Sequence, residues 1–124
     1  MISQDIQKGN IFLRIAELIK ERILIGEYKP DERIPSVRDI AVEMEVNPNT
    51  AMRAYERLQL QEIIYPKRGM GFYVEKKAPQ AIKSERREAF KSKVLPTLFK
   101  NMEQLDISWE QLEEQYQKYF GLKS

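Results

Sequence analysis

Apolar and polar positions alternate with a helical period in the first part of the chain. In residues 11–25 the apolar side chains recur at steps of three and four, with Arg, Glu and Lys between them. This pattern predicts an amphipathic helix, and Gly26 is placed to end it. A polar loop with a proline follows in residues 27–32, and residues 33–34 form a short extended piece before Pro35.

Two further helix starts follow close together. Ser36 is a favoured N-cap residue, and the apolar spacing after it predicts a helix of about two turns. Asn47 is a second N-cap, and Pro48 occupies the first position of the helix that it opens. Because only Glu45 and Val46 separate the two helices, they must turn sharply past each other. That is the spacing of a helix-turn-helix.

The period then changes from helical to extended. Residues 63–65 and 72–74 are β-prone runs, and residues 66–71 between them form a basic turn with two glycines. Two short strands around such a tip predict the hairpin called a wing. The sequence therefore predicts a mainly α, α+β chain with a winged helix-turn-helix domain in residues 1–77.

Residues 78–124 are predicted to form a short all-helical tail. Pro96 lies inside the helical pattern, so we expect a kink or restart near residues 94–96, because an internal proline removes a hydrogen bond and clashes with the preceding turn. Ser108 and Gln111 form a capping box for a last helix, which Gly121 ends. The tail is too short to enclose a core, so its apolar stripes need a partner, and the simplest partner is the tail of a second copy. The predicted dimerisation residues are Phe90, Val94, Leu98, Met102, Leu112, Tyr116 and Phe120.

Composition removes most catalytic chemistry. The 124 residues include no Cys and no His, which excludes disulfides, thiolate nucleophiles, Cys/His zinc sites and His-based acid/base catalysis. With no glycine-rich phosphate loop either, we predict that the protein is not an enzyme and takes no metal and no cofactor. No apolar stretch reaches membrane-spanning length and residues 1–10 lack a signal-peptide core, which predicts a cytoplasmic protein without a membrane partner. The net charge of +2 is weak support for a polyanionic partner, so nucleic-acid binding would depend on where the charges lie.

Three blocks of the sequence resemble the GntR family of bacterial transcription regulators. Residues 34–41 read Ile-Pro-Ser-Val-Arg-Asp-Ile-Ala, close to the family pattern Leu-Pro-Ser-x-Arg-x-Leu-Ala. Residues 46–55 look like the recognition-helix signature of the YtrA-type branch, and residues 68–74 look like the family's wing. The resemblance implies a DNA-binding regulator, and a short helical tail that serves dimerisation is what the YtrA-type branch is known for.

The chain departs from the family pattern at three positions. Asp31 and Glu62 stand where family members usually carry Gly, and both positions are turns in which Gly relieves φ constraints. Many relatives carry Arg where this chain has Met52, which removes one contact to guanine or phosphate. The departures put local turn geometry and base preference in question, and not the fold.

DNA recognition needs donors for phosphates and side chains that match base edges. Asn49, Thr50 and Arg53 project from the first two turns of the third helix, whose free N–H groups also suit a phosphate. The resemblance implies that Arg38 contacts a base or the DNA backbone and that Ser36 contacts the backbone. Arg68 on the wing can reach the minor groove or its phosphates. The full set predicted to contact DNA is Ser36, Arg38, Asn47, Asn49, Thr50, Arg53, Arg68, Gly69 and Gly71.

Each of these residues also has a structural interpretation. Asn47 is mainly a capping residue, Arg53 can pair with Glu56 on the helix surface, and Arg68 can be solubilising charge at a hairpin edge. The sequence favours a homodimeric repressor that binds double-stranded DNA at an inverted repeat. The alternative is a winged-helix protein-interaction module without specific DNA binding. A small-molecule effector stays open, since nothing in the sequence identifies one.

Overall fold

The computed structural model describes residues 10–122 of the chain. The amino-terminal segment, for which the sequence predicts no signal peptide, lies mostly outside that range. In chain order the described elements are α1 (Ile11–Leu24), α2 (Val37–Met44), α3 (Pro48–Leu60), β1 (Ile64–Lys67), β2 (Gly71–Val74), α4 (Ala78–Ala89), a π-helical turn (Phe90–Val94), α5 (Leu95–Gln104) and α6 (Trp109–Tyr119). This is the predicted fold class, a winged helix-turn-helix followed by helices.

The predicted N-caps of α2 and α3 are confirmed. The Ser36 hydroxyl accepts a hydrogen bond from the backbone N–H of Asp39 at 3.0 Å. The Asn47 side-chain oxygen accepts one from the N–H of Asn49 at 2.7 Å, and Pro48 occupies the first turn of α3. Each cap satisfies an N–H group that the helix itself leaves without an acceptor, which fixes where both helices begin.

The core of the winged domain lies between α1, α2, α3 and the hairpin. Tyr55 on α3 is its largest fully buried side chain. Its hydroxyl donates to the carbonyl oxygen of Pro35 at 2.5 Å, and its ring meets Phe72 of β2 edge to face, with 5.2 Å between centroids. Burial raises the pKa of Tyr55, so the phenol stays a donor. The inner face of α3 is thereby tied both to the start of α2 and to the wing.

A charged cluster braces α1 against α2. The Arg22 guanidinium donates to the Tyr28 hydroxyl at 2.8 Å and forms an ion pair with Glu43. The hydrogen bond from Arg22 holds the pKa of Glu43 below its ordinary value. The pair therefore favours the folded state at neutral pH and loses that contribution as the pH falls through the lowered pKa.

The hairpin is longer than its sequence pattern predicts. β1 and β2 pair antiparallel, from Ile64 opposite Val74 to Lys67 opposite Gly71, so Pro66 and Lys67 belong to the strand and not to the turn. A two-stranded ribbon accepts a proline because its missing N–H can point away from the partner strand. The predicted extended piece before Pro35 is confirmed, since Arg33 bridges to Tyr73.

The turns at Asp31 and Glu62, where the resemblance leads us to expect Gly, are left-handed. The φ angles of Asp31 and Glu62 are 64° and 60°, which L side chains adopt at some cost. Asp31 recovers part of that cost through its carboxylate, which accepts a hydrogen bond from the Tyr65 hydroxyl at 2.9 Å. Both turns therefore form without Gly, and both carry some backbone strain.

The first turns of α4 belong to the core of the winged domain. Ala78 and Ile82 are fully buried there. Lys20 of α1 is buried as well, and its ammonium lies 3.0 Å from a carboxylate oxygen of Glu85 and 3.3 Å from one of Glu17. A buried ammonium needs such partners, so α4 supplies one of the charges that keep Lys20 in place.

Contacts divide the chain into one unit up to Glu85 and a second from Arg86 onward. The boundary at residue 77 stays a prediction about which segments act in DNA binding and in dimerisation. No helix within residues 10–122 is long and apolar enough to span a membrane.

In the second unit the disruption expected at Pro96 takes the form of a π-helical turn. Ala89, Val94 and Leu95 all keep right-handed helical dihedrals, so the chain does not leave the helix. The wider hydrogen-bond register of the turn places Pro96 at the start of α5, where a missing N–H is tolerated. The capping box of α6 is confirmed, since Ser108 and Gln111 exchange two hydrogen bonds of 2.9 and 3.1 Å.

Candidate nucleic-acid interface

The helix α3 has one buried and one exposed face. Ala51, Ala54, Tyr55 and Leu58 are buried. On the opposite side Asn49 and Arg53 are exposed and stand one turn apart. The side chains that share this exposed face are Asn49, Met52, Arg53, Glu56 and Arg57. Thr50 lies at its edge and is half-buried.

The backbone N–H groups at the start of α3 are already occupied. Pro48 has none, the N–H of Asn49 donates to the Asn47 side chain, and those of Thr50 and Ala51 donate to the Asn47 carbonyl oxygen at 2.9 and 3.1 Å. The expectation that free N–H groups of this turn hold a phosphate is therefore wrong. Asn47 acts as a cap, and its side-chain NH2 keeps its donor capacity.

Arg53 does not form the predicted surface pair with Glu56. Its Cζ atom instead lies over the ring of Phe12 in α1, 4.1 Å from the ring centroid. That separation is typical of a cation–π contact. Spacing along the chain does not reveal the role of Phe12, because the contact joins two helices that are far apart in the sequence.

The start of α2 carries Ser36 and Arg38, which the sequence also predicts to contact DNA. Ser36 is half-buried and uses its hydroxyl oxygen as the N-cap, while its O–H proton can still be donated. Arg38 is exposed in the first turn, two residues after the cap. The two polar side chains therefore sit at the amino-terminal end of α2, where the helix dipole favours an anion.

The wing carries a basic tip. Lys67, Arg68 and Gly69 are exposed, and the ammonium of Lys67 lies 4.3 Å from the centroid of the Tyr73 ring. Arg33 joins them from the neighbouring extended piece, although it is not among the residues that the sequence predicts to contact DNA. The sequence signal that could have pointed to Arg33 is a basic residue in an extended segment close to a predicted hairpin.

Two features require glycine at position 71: its φ angle of 91° and the close approach of the Arg33 side chain. A Cβ atom on Gly71 would lie 2.9 Å from Nε of Arg33, whereas one on Gly69 would meet nothing within 4 Å. The role that the geometry gives Gly71 is to admit the Arg33 side chain.

Replacement of Gly71 by alanine should lower the free energy of unfolding by about 1–2 kcal/mol through the left-handed backbone. A further loss of about 0.5–1.5 kcal/mol is expected because Arg33 must leave its rotamer. Gly69→Ala is the matched control, with a φ angle of 72° but open space around it. Urea unfolding of both variants, alone and combined with Arg33→Ala, measures the difference. If the excess for Gly71→Ala persists without the Arg33 side chain, the close approach is not its cause.

The predicted dimerisation residues are open to solvent or only half-covered within the tail. Phe90, Val94, Tyr116 and Phe120 are exposed, while Leu98, Met102 and Leu112 are half-buried. Among residues 86–122 none is buried. Further apolar side chains of the tail, outside the predicted set, are exposed as well, namely Phe99, Leu105, Ile107, Trp109, Tyr119 and Leu122. A groove of about 620 Å³ is lined by Leu98, Leu112, Tyr116, Tyr119 and Phe120, together with Gln115 and Lys118.

A helix-turn-helix with an exposed polar face on its second helix and a basic hairpin tip defines a winged-helix DNA-binding protein. The family model described as "Bacterial regulatory proteins, gntR family" matches residues 12–74. The chain belongs to the gntR family and is a DNA-binding transcription regulator.

Among curated relatives, the uncharacterized HTH-type transcriptional regulator YhcF of Bacillus subtilis is 34% identical over 104 residues, which is 84% of either chain. The HTH-type transcriptional repressor YtrA of Bacillus subtilis is 40% identical over 68 residues, or 55% of this chain and 52% of YtrA. The match to YtrA therefore spans about half of that protein.

A solved structure extends the likeness to the helices after the wing. It is that of a Bacteroides thetaiotaomicron protein assigned to the GntR family of transcriptional regulators. The two chains are 43% identical, with a TM-score of 0.74 over 90% of this chain and 96% of that chain. The resemblance to the GntR family drawn from the sequence is confirmed.

Proposed function

We propose that this regulator is a homodimeric repressor that binds an inverted-repeat operator, with the amino-terminal half of α3 in the major groove. The single observation that carries the proposal is the exposed stripe of Asn49 and Arg53 on α3, opposite the buried Tyr55. Asn suits a bidentate contact with adenine, and Arg suits guanine or phosphate.

Phosphate contacts come from side chains around that stripe. Arg38 and the Ser36 hydroxyl lie at the start of α2, and Thr50 and the Asn47 side-chain amide flank the start of α3. Such contacts fix the register of a protein on the duplex, whereas base contacts give specificity. On the wing, Arg68 next to Gly69 reaches the minor groove or its phosphates, and Gly71 supports the tip by admitting Arg33.

The tail joins two copies of the chain into the dimer that binds DNA. A segment of residues 86–122 in which no side chain is buried has no core of its own, and it exposes large apolar groups. Pairing of two tails removes that surface from water, which is favourable by about 25 cal/mol for each Å² of apolar area. Two-fold symmetry then presents two α3 helices, and half-sites about one helical turn, or 34 Å, apart follow from B-form geometry.

Repression rather than activation is supported by the relative YtrA, which bears the name of a repressor. A dimer bound at an operator that overlaps a promoter would block access of polymerase by occupying the site. The proposal includes no small-molecule effector.

Selection of bound duplexes from a random pool tests the proposal. The expected product is a palindrome, bound by the wild-type protein at least 1,000-fold more tightly than a scrambled duplex of equal length at moderate salt. Arg53→Ala and Arg38→Ala should each weaken binding to that palindrome by 1–3 kcal/mol. Arg57→Ala, at an exposed arginine further along α3, is the control and should have a smaller effect.

Recovery of no palindrome, or equal binding to scrambled and selected duplexes, would overturn sequence-specific recognition. Binding that is the same for Arg53→Ala as for wild type would remove Arg53 from the contact surface.

A further inference from the structure

The guanidinium of Arg53 is held by an aromatic ring from another helix. Phe12 lies in the first turn of α1, and its half-buried ring packs against the core of the winged domain. Cζ of Arg53 lies over that ring, 4.1 Å from the centroid. The Phe12 ring therefore packs against the core and also contacts the guanidinium of Arg53 from α3.

Arg53 had another partner within reach. Glu56 stands three positions further along the same helix, a spacing that allows an ion pair. Within residues 10–122, however, the Arg53 side chain forms no ion pair and no hydrogen bond, and its interaction is the ring contact. Its N–H donors are thus left without a protein acceptor, on the face of α3 that also presents Asn49.

A ring contact and a DNA contact use different parts of a guanidinium. The ring attracts the charge through its π electrons, whereas the five N–H donors lie in the guanidinium plane and point outward. An arginine otherwise loses much rotamer freedom when it binds a base or a phosphate. A side chain already ordered in the free protein loses less, so binding is tighter.

We infer that Phe12 is a positioning residue for DNA recognition: its ring orients the guanidinium of Arg53 on the exposed face of α3 before DNA binds. The inference rests on the proposed function, since it assumes that Arg53 contacts DNA. Phe12 itself touches no DNA. Its contribution passes through Arg53 and should vanish when Arg53 is removed.

A double-mutant cycle on the palindrome recovered by selection tests the inference. Phe12→Leu keeps an apolar side chain but removes the ring, Phe12→Tyr keeps the ring, and both are combined with Arg53→Ala. We expect Phe12→Leu to weaken binding of the selected palindrome about three- to five-fold, the range of an exposed cation–π contact. Phe12→Tyr should bind like wild type, and Phe12→Leu should change nothing in the Arg53→Ala background.

Controls separate positioning from general destabilisation. Tyr28→Leu removes a different ring contact of α1, that of Arg22, whose Cζ atom lies 5.8 Å from the centroid of the Tyr28 ring. It should leave affinity for the palindrome unchanged when the fraction folded is equal. Affinity for a scrambled duplex should be the same for wild type and Phe12→Leu, since the charge of Arg53 is retained.

The outcomes distinguish the inference from the proposed function. If Arg53→Ala weakens binding but Phe12→Leu does not, Phe12 has no positioning role and the proposed contact stands. Tighter binding by Phe12→Leu would mean that the ring withholds Arg53, which overturns the inference. If Arg53→Ala binds like wild type, the proposed contact of Arg53 fails, and the role of Phe12 fails with it.

Discussion

The variant Leu98→Asp/Leu112→Asp is expected to be monomeric and to bind the operator at least 100-fold more weakly than wild type. Both leucines line the apolar groove of the tail. A carboxylate in an apolar interface must be desolvated without a partner, which opposes association strongly. A monomer then loses the gain from engaging two half-sites at once, which is commonly 100-fold or more.

Sedimentation equilibrium at micromolar protein measures the change of oligomeric state, and titration of the palindrome measures the change of affinity. The control is Lys100→Asn/Asn101→Asp, which lowers the net charge by the same amount at exposed positions of α5. It should remain dimeric. The winged domain should stay folded in both variants, because its core includes no residue beyond Ile82. A dimer that survives both aspartates would show that another surface joins the subunits.

Tyr55→Ala should lower the free energy of unfolding by about 3–5 kcal/mol, the usual result of removing a large buried aromatic side chain. Tyr55 is fully buried and contacts Phe72 of the wing. Tyr55→Phe keeps the ring and removes only the hydroxyl that donates to the Pro35 carbonyl. That variant should lose about 1–2 kcal/mol, because the carbonyl oxygen is left without its donor.

Urea unfolding followed by far-ultraviolet circular dichroism measures both values, at one fixed protein concentration because dimerisation contributes to stability. An equal loss for the two variants would mean that the hydroxyl, and not ring packing, carries the effect. No loss for Tyr55→Phe would mean that the Pro35 carbonyl finds another donor.

Much of the fold could be predicted because its signals are local. The caps at Ser36, Asn47 and Ser108 depend on residues two or three positions away, and all three form as predicted. The buried face of α3 follows from the spacing of its apolar residues. The bounds of the hairpin strands were predicted less accurately. The basic, glycine-containing segment of residues 66–71 predicts a turn that begins at Pro66, yet Pro66 pairs with Phe72 in the ribbon, where an edge position accepts a proline.

For the candidate site, the sequence predicts which side chains are exposed but not what those side chains contact. The exposure of Asn49 and Arg53 follows from helix periodicity, which also places Tyr55 inside. What Arg53 contacts does not follow, since Glu56 was the neighbour that spacing offered. The sequence pattern also does not show that the first N–H groups of α3 are occupied, because Asn47 supplies acceptors from both its side chain and its carbonyl.

By itself the sequence determined the order of elements, their caps and the apolar stripe of each helix, because these depend on side chains within about one helical turn. The tertiary structure alone decided which distant residues meet: Arg53 with Phe12, Arg33 with Gly71, and Lys20 with Glu85. Such pairs depend on how helices and hairpin pack around the core, and spacing along the chain carries no record of that packing.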